Sequence, residues 1–211
     1  MIQKARWYFD FISPFAFLQF KQLHLIEQEI EFEFVPILFA GLLGHWGHKG
    51  PAELATKRVD TYRFCQWYAD ANDIAFQMPK AHPFNPLPYL RLSIASGAKR
   101  ESIAQIFDFL WTTGLDPQSE ETIGLLGGAL GITDIRQALG AQPVKDILRR
   151  NTDQAIEDGV YGVPTMVIDG YRFWGVGQMD MLRSYLQDSR VFDTEIMSQL
   201  SDLPSGISRQ N

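Results

Sequence analysis

The chain has 211 residues, 45% of them hydrophobic and 21% charged. That is enough to bury a core without disulfides or metals, and it is ordinary for a soluble globular protein. A formal net charge of −6 argues against a nucleic-acid binder, which needs a basic face, but leaves room for local cationic patches. The single cysteine, Cys65, excludes an intramolecular disulfide and any CxxC site, and fits a reducing compartment.

No stretch approaches the roughly eighteen apolar residues of a membrane span. Lys4 and Arg6 precede an apolar run, as in a secretory leader. Asp10 breaks that run, Pro14 follows, and no small-residue cleavage site comes after, so a cytoplasmic protein with no membrane partner is expected.

In chain order, residues 6–12 are aromatic and strand-forming and stop at Ser13-Pro14, which reads as an N-cap and first helical position. A helix is predicted from Pro14 to about Glu29, with Leu25 and Ile26 facing inward. Phe32-Glu33-Phe34-Val35 then alternates like a short strand. The opening is therefore β–α–β, with a helix long enough for a right-handed crossover between parallel strands.

From about 40 to 158 the pattern is helical. Ile103, Ile106, Phe107 and Leu110 keep helical spacing, as do Val144, Ile147, Leu148, Asn151 and Ala155, and segments near 52–71, 87–97 and 118–130 are further helices. Gly41, Gly44, Gly47 and Gly50-Pro51, then Pro79, Pro83, Pro86 and Pro88, are expected in loops. Strands return at Thr165–Ile168 and Tyr171–Trp174 around Asp169-Gly170, a two-residue hairpin turn of the primed kind. A short helix with Met179, Met181, Leu182, Tyr185 and Leu186 follows, then a polar tail. This order predicts one α/β core with a mixed sheet and a helical block inserted in it.

Ser13 sits where a strand ends and a helix begins. The free N–H groups and positive end of the helix dipole favour a negative charge there. Redox proteins of this architecture place a cysteine thiolate at that point, whereas Ser13-Pro14-Phe15-Ala16 has none. A hydroxyl can donate a hydrogen bond to another molecule's thiolate; taken alone, Ser13 reads simply as a cap. Gly162-Val163-Pro164-Thr165 enters the late hairpin. It is either an edge-strand start or a cis-proline whose preceding residue offers its backbone to an extended ligand. The two features together form the thioredoxin arrangement.

Tyr8-Phe9-Asp10-Phe11-Ile12-Ser13-Pro14-Phe15 resembles the opening of the 2-hydroxychromene-2-carboxylate isomerases and kappa-class glutathione transferases. Gly162-Val163-Pro164-Thr165-Met166, Asp169-Gly170 and Phe173-Trp174-Gly175 resemble their closing segment. His45-Trp46-Gly47, Gly50-Pro51-Ala52-Glu53, Lys57-Arg58 and His82-Pro83-Phe84-Asn85-Pro86-Leu87-Pro88 are similar to bacterial members of the isomerase group, so the resemblance runs from about 6 to 188. It implies a DsbA-like topology: a thioredoxin-like core from 1–38 and 159–190, a helical insertion domain over 39–158, and a C-terminal tail over 191–211.

The resemblance also implies glutathione as cofactor, with Ser13 hydrogen-bonding its sulfur and lowering the thiol pKa, and Val163 ahead of Pro164 pairing with its peptide backbone. Gly175 and Gln178 belong to the same binding segment. In the isomerases the thiolate adds to the substrate, the hemiketal ring opens, the former double bond rotates, and elimination gives the trans product. The expected activity is a glutathione-dependent isomerase or kappa-like transferase acting on a small aromatic or conjugated electrophile. Dimers are common in that family, and the aromatic content permits a homodimer interface.

One departure stands out. The family usually follows its Trp-Gly unit with a pair ending in Asp that holds the γ-glutamyl end of glutathione. This chain reads Trp174-Gly175-Val176-Gly177-Gln178, with no carboxylate at Gly177, and Asp180 as the nearest acid. Two other readings follow: a thioredoxin-fold binding protein that has lost glutathione catalysis, and a thiol–disulfide oxidoreductase, which the lack of CxxC argues against.

Other candidates carry plainer alternatives. Lys57, Arg58 and Arg91 could anchor a substrate carboxylate or simply lie on solvated helix faces. Asn85, between prolines, is a turn residue or a pocket contact. Trp174 shelters the site or belongs to the core with Trp46, Trp67 and Trp111. Cys65 reads as a small buried apolar residue. His45, His48 and His82, expected in loops, lack a convincing ligand set, so no metal is expected. The absence of a G-x-S-x-G elbow argues against Ser13 as a hydrolase nucleophile.

Overall fold

The computed structural model describes residues 2–207. Four strands, β1 (Gln3–Phe9), β2 (Ile30–Pro36), β3 (Thr165–Ile168) and β4 (Tyr171–Trp174), form one sheet in the order β2-β1-β3-β4. β1 pairs parallel with β2 and antiparallel with β3, and β3 pairs antiparallel with β4, so the sheet is mixed as the hairpin predicts. Asp169 and Gly170 both adopt positive φ, 50° and 84°, as a primed two-residue turn requires.

β1 is central and buried on both faces. Its period of two sends Ala5, Trp7 and Phe9 into the larger core cluster and Tyr8 into a smaller one with Val35, Val163 and Val167. The larger cluster runs without a break through the sheet and most of the helices between β2 and β3, joining Trp7 and Phe17 to Phe107 and Trp111, whereas Leu42 of the first of them packs in the smaller cluster. Those helices are α2 (Phe39–Trp46), α3 (Ala55–Ala71), α4 (Leu87–Ala95), α5 (Arg100–Thr112), α6 (Glu120–Ala129), α7 (Ile135–Gly140) and α8 (Gln142–Glu157).

Several boundaries differ from expectation, each for a local reason. β1 ends at Phe9 rather than residue 12, because the Asp10 carboxylate accepts the Ile12 N–H at 3.1 Å and Ser13 N–H bonds to Asp10 C=O at 3.1 Å. The strand is folded into a side-chain-capped turn. The first helix, α1 (Pro14–Gln22), stops well short of Glu29 and passes through a 3₁₀ turn at Leu23–Leu25. β2 pairs with β1 from Ile30, so residues 26–29 must turn the chain. Ile26 is buried, but Leu25 points outward.

Gly41, Gly44 and His45 lie inside α2, not in a loop; Gly47, at φ 65°, ends that helix. A Cβ on Gly41 would come 2.9 Å from the Thr152 side chain, so glycine there permits the close crossing of α2 and α8. The C-terminal segment is also more structured than a tail. After α9 (Met179–Gln187), a 3₁₀ turn at Ser189–Phe192 brings the Phe192 ring to 4.7 Å from Tyr171 and 5.5 Å from Tyr185. An exposed helix, α10 (Glu195–Leu200), follows. Residues 208–211, the end of the expected tail, lie outside the described residues.

Candidate functional site

Ser13 caps α1. Its Oγ accepts the Ala16 N–H at 3.2 Å, satisfying one of the unpaired donors of the first turn, and Pro14 occupies the position where a missing N–H costs nothing. The hydroxyl proton points elsewhere, to the Val163 carbonyl at 3.4 Å. Val163-Pro164 is a cis peptide, and Val163 N–H has no hydrogen-bond partner among the described residues. Two segments 150 residues apart in sequence thus meet at one hydroxyl, on a residue only 7% exposed.

The end of β4 closes one side. Trp174 is 45% exposed, meets the Tyr161 ring edge-on at 5.5 Å, and lies so close over Gly162 that a Cβ there would be 2.5 Å from its indole nitrogen. Gly175, at φ 72°, donates its N–H to Pro164 C=O at 2.9 Å, while Gln19 Nε2 donates to Gly175 C=O at 2.9 Å. Gln19 is itself fixed by Trp7 Nε1 at 2.6 Å. Gln178 Oε1 accepts the Trp174 N–H at 2.6 Å. Ser13, Val163, Pro164, Trp174, Gly175 and Gln178 therefore form one cluster.

Below Ser13 lies Asp10, fully buried. Its carboxylate oxygens accept N–H bonds from Ile12 at 3.1 Å and Phe39 at 2.9 Å, tying the turn before Ser13 to the start of α2. Burial pushes this carboxyl up to about 7, against the pull of the N–H bonds, which favour the anion. The sequence offered one sign of this residue: a lone acid inside an apolar run.

On the other side stands His82. Its Nε2 is 2.7 Å from Ile12 C=O and its Nδ1 is 2.6 Å from the Tyr62 hydroxyl on α3; the indole of Trp111, on α5, donates to Phe11 C=O at 3.0 Å. Burial lowers the His82 pKa, and the Arg58 charge acts in the same direction. The Arg58 charge is felt by both His82 and Tyr62, and Lys57 is its neighbour on the exposed surface of α3. Neither cation is ion-paired among the described residues.

The remaining candidates lie apart. Asn85 is exposed and its Oδ1 accepts the Leu87 N–H at 3.1 Å, an Asx turn that leads into α4, whose cap is Pro86. Arg91 faces α8 instead, donating to Leu139 C=O at 3.2 Å and lining a cavity of about 230 Å³ with Lys145 and Arg149. Asp180 is 96% exposed and paired with Arg183, not turned toward Gly177. Cys65 is buried, which pushes its thiol up to about 12. No three His, Cys, Asp or Glu side chains come together in a metal-binding group among the described residues. None of the described helices is long and apolar enough to cross a membrane.

Residues 6–187 match the DSBA-like thioredoxin domain. A 2-hydroxychromene-2-carboxylate isomerase from Pseudomonas putida is 28% identical over 194 residues, which cover 84% of this chain and 91% of that protein. Glutathione S-transferase kappa 2 of Caenorhabditis elegans is 24% identical over 79% of this chain and 82% of its own. The solved structure of a 2-hydroxychromene-2-carboxylate isomerase shares the fold, with a TM-score of 0.76 at 23% identity over 96% of this chain and all of the other.

Proposed function

The chain belongs to the DSBA-like thioredoxin domain family, and from that premise we propose that it is a glutathione-dependent isomerase or transferase acting on a small conjugated electrophile. The observation that carries this reading is the Ser13 hydroxyl, set at the positive end of α1 and shared with the carbonyl of Val163. A glutathione-using site of this fold needs a donor for sulfur beside an unpaired backbone edge, and Ser13 with Val163 N–H fits both needs. The curated relatives, named as isomerases and as a kappa-class transferase, support the same activity class.

Glutathione, when bound, supplies the nucleophilic thiolate. Ser13 turns its hydroxyl from Val163 C=O to the sulfur and, with the dipole of α1, holds the thiol below its free pKa. Val163 aligns the peptide portion through its backbone, and Trp174 covers the sulfur from solvent. Lys57 and Arg58 attract an anionic electrophile toward the same face. Thiol–disulfide exchange has no support, since the only cysteine is buried on α3.

A second reading, a thioredoxin-fold binding protein without glutathione catalysis, draws on Gly177, which offers no carboxylate to a γ-glutamyl ammonium while Asp180 points into solvent. Calorimetric titration with glutathione decides between the two. Binding that lowers the thiol pKa in wild type but not in Ser13→Ala supports the enzyme; no binding at millimolar glutathione leaves the binding protein.

A further inference from the structure

Two successive peptide units lead into Ser13, and both are gripped at each end. In the Phe11–Ile12 unit the carbonyl accepts Trp111 Nε1–H at 3.0 Å and the N–H is held by Asp10 Oδ1 at 3.1 Å. In the Ile12–Ser13 unit the carbonyl accepts from His82 Nε2 at 2.7 Å and the N–H is held by Asp10 C=O at 3.1 Å. A carbonyl can only accept, so His82 Nε2 carries a proton. In a neutral ring Nδ1 is then the acceptor, and the Tyr62 hydroxyl at 2.6 Å is its donor. The hydrogen-bond chain runs in one direction, from Tyr62 through His82 to Ile12 and the peptide plane of Ser13.

We propose that His82, oriented by Tyr62, is a positioning residue for Ser13: it sets the Ile12–Ser13 peptide plane and hence the direction of the Ser13 hydroxyl. This rests on the reading of Ser13 as the sulfur-facing donor. His82 does not touch the reacting atoms, and its surroundings keep it a fixed donor. Phe84 and Trp111 flank the ring, at 6.0 and 5.6 Å between centroids. Among the described residues, the titratable and charged groups that act on the ring and its partner come from α3: Tyr62, bonded to the ring, the Arg58 charge, and Cys65, which acts on Tyr62. Burial, with the Arg58 charge, opposes a second proton on the ring and outweighs the Ile12 carbonyl, which favours one. A protonated His82 would have to donate from Nδ1. The Tyr62 hydroxyl would then turn to His82 C=O, which lies within its reach at 3.0 Å, and the direction of the chain would be lost.

The test compares His82→Leu, His82→Gln and Tyr62→Phe with wild type and Ser13→Ala in the full chain. The readouts are calorimetric affinity for glutathione and thiol pKa in the complex, taken from thiolate ultraviolet absorbance against pH. His82→Leu is expected to raise the bound thiol pKa toward the Ser13→Ala value while affinity falls less than about tenfold, the worth of one hydrogen bond. His82→Gln, which restores an N–H donor toward Ile12 C=O, recovers most of the shift; Tyr62→Phe lies between. A purely structural role would lower thermal stability without moving the thiol pKa.

A folded His82→Leu with the wild-type thiol pKa overturns the positioning role. If His82→Leu does not fold, Tyr62→Phe carries the test, and a wild-type pKa in it has the same consequence. Should wild type and Ser13→Ala themselves agree, the reading of Ser13 fails, and the positioning role falls with it.

Discussion

The Ser13 hydroxyl donates to the carbonyl of Val163 at 3.4 Å, a long bond between the cap of α1 and the residue before Pro164. Its length matters chemically, because a weakly held proton is readily given to a better acceptor. Ser13→Ala removes that donor and the N-cap together. The expected result is a loss of about 1 kcal/mol of stability, the usual worth of a cap, with a rise in the thiol pKa of bound glutathione. Thermal unfolding and thiolate absorbance measure the two effects separately.

Asp10 makes stability depend on pH. Its carboxyl sits near 3.8 in the unfolded chain and about 7 when buried, so the folded state holds the proton more tightly. The contribution is fully present below about pH 4, declines as pH rises, and levels off above 7; its range is at most about 4 kcal/mol. Urea unfolding between pH 4 and 8 should show this fall in wild type and a flatter profile in Asp10→Asn.

Gly177→Asp restores a carboxylate beside Trp174-Gly175. A Cβ there meets nothing within 4 Å, so the side chain has room. A charge-assisted bond of about 1.5–3 kcal/mol would tighten glutathione roughly 10- to 150-fold. Unchanged affinity would show that the γ-glutamyl end is held elsewhere.

Gly162→Ala places a methyl 2.5 Å from the Trp174 indole nitrogen. The half-exposed indole can swing away, so the stability cost stays near or below about 1.5 kcal/mol. The indole's cover over Gly162 is lost, and weaker glutathione binding with altered tryptophan emission is expected.

Cys65, buried with its thiol pushed up to about 12, should resist thiol reagents in the folded protein. Aromatic disulfide reagents should label it only after denaturation, at a rate that follows unfolding. Rapid labelling of native protein would contradict the burial of Cys65 on the core-facing side of α3.

Much of this was legible in the residues because it is local chemistry. The primed turn at Asp169-Gly170, the cap at Ser13-Pro14 and the helical spacing through Ile103–Leu110 each depend on neighbours a few positions away. Short-range pattern also misled: Gly41 and Gly44 look like loop residues, yet α2 accepts them because Gly41 must pass close to Thr152.

By itself the sequence determined the β–α–β opening, the closing hairpin and a hydroxyl rather than a thiol at the head of α1. Only the tertiary structure decided what surrounds that hydroxyl. Asp10 reads as a break in an apolar run until Phe39 N–H reaches it, and His82 as a loop residue until Tyr62 and Ile12 meet its ring. Gln19 is a helix residue until Trp7 and Gly175 hold its amide. The reason is physical: each partner lies 12 to 156 positions away, and a buried polar group takes its role from whatever the packed core brings within hydrogen-bond reach.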